Sequence, residues 1–224
     1  MKYMIHCCPK RMWYVKEYLI PSMELQGIQQ ENIIIWNDDK GWGNQKSWYN
    51  CCKYIRENED LTQGMWHIQD DVLISKDFYT RTKEVPNNTN IRCGFVTERF
   101  NKNGKWWKGI QPIQHHWMSF PCIYIPNQYM SEFVFWYDTS VVKDGNYKKQ
   151  YEGGNDDDFL FFKCVVQLHP MIKSVNIIPC LVDHIDYLIG HSTLFDRKGK
   201  QNRAFYFDDG WLVDELQEKL KDRR

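Results

Sequence analysis

Residues 66–72, Trp-His-Ile-Gln-Asp-Asp-Val, are a short apolar run that ends in two adjacent carboxylates, Asp70 and Asp71. The run predicts a buried strand, and acidic residues directly after such a strand are typical of the edge where open α/β sheets bind ligands. Two adjacent carboxylates repel each other unless a cation lies between them, and Mg²⁺ or Mn²⁺ with a bound diphosphate commonly supplies it. The alternative is a polar turn, because Asp is frequent in turns.

The bulk composition limits the classes of protein to consider. The chain has 224 residues, which predicts one domain with a sizeable core. Lys and Arg number 29 and Asp and Glu number 29, so the overall charge predicts neither a nucleic-acid nor a membrane partner, although a local basic face stays open. The sequence shows no signal peptide and no apolar run of membrane-spanning length, so we expect a soluble cytoplasmic protein.

The eight cysteines do not have the spacing of a zinc site. Most of them lie inside apolar runs. They are therefore expected to be small buried hydrophobic residues in a reducing compartment.

The first third of the chain alternates predicted strands and helices. Helices are predicted from Arg11 and from Asn44, and Pro21 should kink or restart the first one. The predicted strands are residues 3–8, 32–36 and 64–69. This β-α-β-α-β order predicts an α/β fold with a mostly parallel central sheet flanked by helices.

The rest of the chain predicts further strands and helices of the same single domain, residues 1–224. Further strands are expected at residues 91–97, 117–125 and 174–182, and helices at 76–83, at 127–137, after Asn155 and from Trp211. We divide the domain into a nucleotide-binding half (residues 1–97), an acceptor half (98–195) and a C-terminal helical tail (205–224).

A second acidic site follows the last predicted strand, which runs into Asp183 and His184. Because the carboxyl ends of parallel strands lie at one edge of a sheet, Asp71 and His184 are expected to meet at one cation. A carboxylate, an imidazole and diphosphate oxygens are suitable ligands for Mn²⁺. His191 is the second candidate for the imidazole ligand.

A third acidic cluster, Asp156 to Asp158, begins a predicted helix. Its carboxylates are candidates for a general base, with Asp157 the first choice and Asp156 the second. The alternative is that they cap the helix and interact with its dipole.

Polar residues near the first two strands are candidates for nucleotide binding. Asp38 follows the second strand and could accept a hydrogen bond from a base or ribose, or form a turn. Arg11 and Lys46 begin the first two helices and could contact a diphosphate or a base. The alternative for both is a solvated surface.

These motifs together resemble the GT-A nucleotide-diphosphosugar transferases. Asp70 and Asp71 occupy the place of that superfamily's Asp-x-Asp motif, although the first motif position is Gln69. The resemblance covers residues 3–192. It implies that Asp71 holds the metal, that Asp70 contacts the ribose or donor sugar, and that the His184 segment completes the metal shell. It also implies that residues 154–157 supply the base in an inverting reaction.

The resemblance implies a Mn²⁺- or Mg²⁺-dependent glycosyltransferase with a nucleotide-diphosphate sugar donor, for which we expect a UDP-sugar. The compact size and composition resemble phage-encoded transferases, so the acceptor hydroxyl could belong to a hydroxymethylated pyrimidine in DNA and the site of action would be the host cytoplasm. Lys105, Trp106 and Trp107 lie in a basic, Trp-containing segment that would then contact the acceptor by phosphate attraction and ring stacking. The alternatives are a glycan-directed transferase, a metal-dependent phosphohydrolase or nuclease, and a non-catalytic nucleotide-sugar-binding module.

Overall fold

The first three strands alternate with two helical segments. In the computed structural model, strands β1 (Lys2–Cys7), β2 (Ile33–Asn37) and β3 (Gly64–Gln69) are parallel, and β1 lies between the other two. Helix α1 spans residues 9–25 and α2 spans Asn44–Asn58. The structure describes residues 1–59, 62–83, 85, 90–96, 109–112, 120–142, 157–172, 174–189, 204, 206–207 and 210–221.

The two helical segments pack on opposite faces of the sheet. Side chains alternate along β1, so that Tyr3 and Ile5 pack in one core while Met4 packs in the other. The first core, here the α1 core, contains the apolar side chains of α1, and the second, the α2 core, contains Trp48 and its neighbours on α2. This arrangement follows from the helical spacing of the apolar residues, which gives each helix one apolar face.

The remaining segments extend the sheet and add shorter elements. They are β4 (Val72–Ile74), α3 (Phe78–Thr82), β5 (Arg92–Cys93), β6 (Gly109–Pro112), β7 (Cys122–Pro126), α4 (Asn127–Trp136), α5 (Asp157–Leu168), β8 (Val175–Ile178), β9 (Val182–His184), α6 (Asp186–Ile189) and α7 (Gly210–Lys221). A π-helical segment, Tyr137–Val142, continues α4. Helix α7 buries Leu216 and Leu220 in the α1 core, as expected for the amphipathic C-terminal helix.

The central sheet has seven strands among the described residues, in the order β2-β1-β3-β7-β5-β8-β6. Strand β7 is antiparallel to both β3 and β5, and β6 is antiparallel to β8, whereas the other pairings are parallel. Most strands therefore run in one direction, and the predicted α/β class with a mostly parallel sheet is confirmed.

The predicted last strand is divided between two sheets. β8 belongs to the central sheet, whereas β9 pairs with β4 in a separate two-stranded antiparallel sheet. Pro179 follows β8 directly and lacks the N–H that a continuing strand would donate. The division moves His184 away from the central sheet and next to the segment that follows Asp71.

Most of the cysteines are buried, as the sequence predicted. All eight cysteines are free, and seven of them are buried while Cys8 is half-buried. No helix within the described ranges combines the length and the apolar composition needed to cross a membrane.

Candidate functional site

The carboxyl ends of the first three strands form a topological switch point. From β1 the chain moves to β2 on one side and then to β3 on the other, so a crevice is expected where the strands diverge. Three candidate segments follow these strand ends: Cys8 to Arg11 after β1, Asp38 after β2, and Asp70 to Asp71 after β3. The Asp-Asp pair therefore lies at the edge that its sequence predicted.

Asp70 is held by the chain segment that follows β1. Its Oδ2 accepts a hydrogen bond from the backbone N–H of Cys8 at 2.7 Å, and its Oδ1 accepts one from Arg11 Nη1 at 2.7 Å. Burial and the neighbouring charge of Asp71 raise the pKa of Asp70, although Arg11 and the Cys8 N–H act in the opposite direction. Asp70 thus joins the ends of β1 and β3 through two charge-assisted hydrogen bonds.

A protein side chain supplies the cation between the two carboxylates. Arg11 Nη1 lies 2.7 Å from Asp70 Oδ1 and 2.6 Å from Asp71 Oδ2, and Arg11 is only 3% exposed. The alternative of a solvated Arg11 therefore does not apply. Its contact with a diphosphate stays a prediction.

Asp71 and His184 lie in contact, as expected. His184, however, is carried by β9 of the two-stranded sheet and not by a strand of the central sheet. Val72 pairs with His184 in the β4–β9 sheet, and Ile185 donates its backbone N–H to the carbonyl oxygen of Asp71 at 2.8 Å. This pairing places His184 Nε2 at 3.1 Å from Asp71 Oδ2. On its other side, His184 Nδ1 lies 3.7 Å from Asp186 Oδ1.

The charges of the site favour an ionised Asp71 and a protonated His184. Burial would raise the pKa of Asp71, but His184 and Arg11 outweigh burial and hold it well below its usual range. Burial would lower the pKa of His184, but Asp71 and then Asp186 outweigh burial and raise it. Asp71 Oδ1 is buried and accepts no hydrogen bond within the described residues, which leaves one carboxylate oxygen available.

The donor set at Asp71 fits a hard divalent cation that has few protein ligands. Across the described ranges, no group of three His, Cys, Asp or Glu side chains is arranged to hold a metal ion. Mg²⁺ and Mn²⁺ sites with a substrate diphosphate, however, often use only one or two protein ligands, with phosphate oxygens and water for the rest. The Oδ1 of Asp71 is compatible with such a site, and His184 could join it only in its neutral form, because a metal ligand needs the lone pair of an imidazole nitrogen.

Asp38 organises the loop between β2 and α2. Its carboxylate accepts hydrogen bonds from the backbone N–H groups of Trp42 at 2.9 Å and Gly43 at 3.1 Å. The turn alternative therefore describes Asp38 in the structure, and its contact with a base or ribose stays a prediction. Lys46 is exposed, with its Nζ 6.0 Å from the centre of the Trp42 ring.

The remaining candidate residues have side chains that lie outside the described part of the structure. Asp157 is the first residue of α5, so the acidic cluster does begin a helix, but the placement of its side chain lies outside the description. Asp156, Lys105, Trp106, Trp107 and His191 lie outside the described residues.

The structure adds site contacts that the sequence analysis missed. Tyr14 is buried and donates its hydroxyl to the carbonyl oxygen of Val72 at 2.8 Å, which ties α1 to β4. Asp186 could have been flagged, because it is an acid two residues after His184. The contacts of the Cys8 N–H and the Tyr14 hydroxyl could not have been found from the sequence, because their partners lie 62 and 58 residues away along the chain.

A second polar cluster, here the histidine cluster, lies against the α2 core and consists of His6, Ser47, Trp48 and His67. His6 Nε2 lies 2.8 Å from Ser47 Oγ, and His67 Nδ1 lies 3.1 Å from the carbonyl oxygen of Phe120. Burial lowers the pKa of His6 to about 4 and lowers that of His67 well below its usual value. Both histidines are therefore neutral, and His67 is fully buried.

Comparison with known proteins does not assign the chain to a family. No family model matches it, and no curated protein gives a significant match.

Proposed function

We propose that the protein is a GT-A-type glycosyltransferase that moves a sugar from a nucleotide-diphosphate donor to an acceptor hydroxyl. One observation carries the proposal: a buried Asp-Asp pair lies at the topological switch point, and the pairing of β4 with β9 brings His184 to Asp71. The combination of carboxylate, imidazole and adjacent guanidinium suits a diphosphate with its divalent cation.

Each described residue has a distinct role in this proposal. Asp71 Oδ1 and His184 would hold Mn²⁺ or Mg²⁺, which when bound neutralises the diphosphate leaving group. Arg11 adds a fixed positive charge next to that diphosphate. Asp70 is held rigidly by Cys8 and Arg11, which orients its carboxylate for the ribose or donor sugar. Asp38 and Lys46 would contact the base of a UDP-sugar from the loop after β2.

The acceptor part of the proposal rests on sequence motifs. Asp157, with Asp156 as the second choice, would accept the proton of the attacking hydroxyl if the reaction inverts configuration. Lys105, Trp106 and Trp107 would contact the acceptor, and a modified pyrimidine in DNA would use both their charge and their rings. A glycan acceptor would use mainly the tryptophans.

Ligand-dependent melting tests the donor site. We expect Mn²⁺ and UDP together to raise the melting temperature more than the sum of their separate effects, because each would complete the other's coordination. Asp71→Asn should abolish this synergy, whereas Asp214→Asn, which changes an exposed acid on α7, should preserve it. Full synergy in Asp71→Asn would rule out Asp71 as the metal residue.

Turnover separates a transferase from a binding module. If UDP and Mn²⁺ stabilise the protein, UDP-sugars should be tested with hydroxymethylated DNA and with glycans as acceptors. Asp157→Asn should leave UDP binding nearly unchanged and reduce transfer by roughly 10²-fold or more, as expected for the loss of a general base. Tight UDP binding without transfer to any acceptor or to water would indicate a non-catalytic module.

A further inference from the structure

Arg11 and His184 both contact the same oxygen of Asp71. Arg11 Nη1 lies 2.6 Å from Asp71 Oδ2, and His184 Nε2 lies 3.1 Å from the same atom. Asp71 Oδ1 is buried without a described hydrogen-bond partner. Asp71 Oδ2 is therefore occupied by two side chains, whereas Oδ1 keeps its full capacity to accept a ligand among the described residues.

A divalent cation entering at Oδ1 would have to share Asp71 with Arg11. The guanidinium does not lose its proton in a protein, so the repulsion can be relieved only if Arg11 moves or if an anion binds with the metal. A diphosphate is such an anion, because Arg recognises phosphate oxygens as readily as carboxylate oxygens.

We propose that Arg11 is the residue that makes metal binding depend on the diphosphate. Without a diphosphate, Arg11 occupies Asp71 and weakens the affinity for Mn²⁺. When a diphosphate binds, Arg11 transfers its hydrogen bonds from Asp71 to the phosphate oxygens, and Asp71 becomes available to the metal. The inference rests on the proposed metal-dependent donor site. It concerns how diphosphate changes the affinity for Mn²⁺, and it makes no claim about the sugar transfer.

The test measures the Kd of Mn²⁺ by titration calorimetry, with and without saturating inorganic diphosphate, in the full chain. In the unmodified protein we expect diphosphate to tighten Mn²⁺ binding about tenfold or more, a typical coupling between linked sites. Arg11→Gln keeps hydrogen-bond donors but removes the charge. It should bind Mn²⁺ alone about tenfold more tightly, and diphosphate should then change the Kd little.

Two variants control for charge and for position. Arg11→Lys retains the positive charge and should keep the weak Mn²⁺ binding of the unmodified protein. Lys10→Gln removes the charge of the exposed neighbour of Arg11 and should also leave the Mn²⁺ affinity unchanged. Adding Asp71→Asn to Arg11→Gln should abolish the gain in affinity.

Several results would overturn the proposal. Equal or weaker Mn²⁺ binding in Arg11→Gln would show that Arg11 does not compete with the metal. If no variant binds Mn²⁺, Arg11 is a permanent structural counter-ion. If Arg11→Gln is unfolded in metal-free buffer, Mn²⁺ should restore its melting transition, and failure to do so also contradicts the proposal. Absence of sugar transfer with the predicted Mn²⁺ affinities would contradict only the proposed function.

Discussion

The site around Asp71 lies just past the carboxyl ends of β1 and β3, and His6 and His67 of the histidine cluster lie on the same two strands, yet polar groups are stabilised in opposite ways in the two regions. Around Asp71, Arg11 contacts Asp70 and Asp71, and His184 contacts Asp71, so buried acidic and basic groups lie within hydrogen-bond distance of one another. His67 is buried and His6 half-buried, and both are neutral because desolvation lowers the pKa of each. Adjacent residues of one sheet can therefore differ completely in charge, depending on whether an opposite charge is within hydrogen-bond distance.

The comparison also separates two kinds of buried polar cluster, one built of acidic and basic groups and one of neutral histidines. Charges kept buried at close range are expensive to desolvate and are typical of functional sites, whereas neutral histidines packed against rings contribute chiefly to packing. Trp48 packs edge-on against His67 with ring centres 4.7 Å apart. The three predictions that follow test this contrast.

The largest effect is expected when the central cation is removed. Arg11→Ala leaves two adjacent buried carboxylates without their shared partner, so we expect it to lower the free energy of unfolding by about 3–5 kcal/mol. Lys10→Ala, one residue earlier and exposed, should change it by less than about 0.5 kcal/mol. Urea denaturation in buffer with a chelator measures both. A loss below about 1 kcal/mol for Arg11→Ala would mean that the pair behaves like a hydrated surface pair.

The pH dependence of stability should separate the two kinds of histidine. The pKa of His6 is lowered to about 4, so between about pH 6.5 and pH 4 the unfolded chain binds a proton that the folded chain does not. The contribution of neutral His6 is therefore complete above about pH 6.5 and is lost as the pH falls, by up to about 3 kcal/mol. His184 has the opposite sign. Its raised pKa gives a contribution that is present at low pH and is lost as the pH rises through that pKa.

Two single variants show which histidine produces each slope in the pH dependence of the unfolding free energy. His6→Gln keeps a polar atom near the Nε2 position without titrating, and it should reduce the acid slope of the curve of unfolding free energy against pH, leaving the part due to His67, whose pKa is also lowered. His184→Gln should flatten the side above pH 6.5 and leave the acid slope due to His6. If His6→Gln left the acid slope unchanged, the protonation of another group would control acid unfolding.

Much of the fold could be predicted because apolar periodicity marks buried faces. The strand at 64–69, the helix that begins at Asn44 and the C-terminal helix all show regular spacing of apolar residues, and the structure contains each of them. The position of Asp70 and Asp71 at a sheet edge followed from the same pattern. The proximity of Asp71 and His184 was also expected, but the β4–β9 pairing that produces it was not.

What the sequence could not supply depends on tertiary contacts. Periodicity does not give strand direction, so the antiparallel insertion of β7 between β3 and β5 was not foreseen. Pro21 was expected to kink or restart α1. A regular α-helical segment, Ile20–Leu25, does restart with Pro21 in its first turn, but the π-helical segment Val15–Leu19 that precedes it was not foreseen. The pairing of Arg11 with Asp70 and Asp71 joins residues 59 and 60 positions apart, which no local pattern encodes.

The smallest effect is expected for a neutral hydrogen bond at the edge of the charged site. Tyr14→Phe removes the hydroxyl that bonds to the carbonyl oxygen of Val72 and should cost about 1–2 kcal/mol, since it leaves one buried acceptor without its donor. Tyr3→Phe is the matched control, because the Tyr3 hydroxyl lies 2.8 Å from Thr82 Oγ1, is also buried, and is remote from the aspartates. If charge alone distinguishes the site around Asp71, the two variants should lose similar stability in the same urea titration. A loss for Tyr14→Phe that approaches the loss for Arg11→Ala would mean that the backbone tie between α1 and β4 positions the buried charges, and the contrast with the histidine cluster would then depend on geometry as much as on charge.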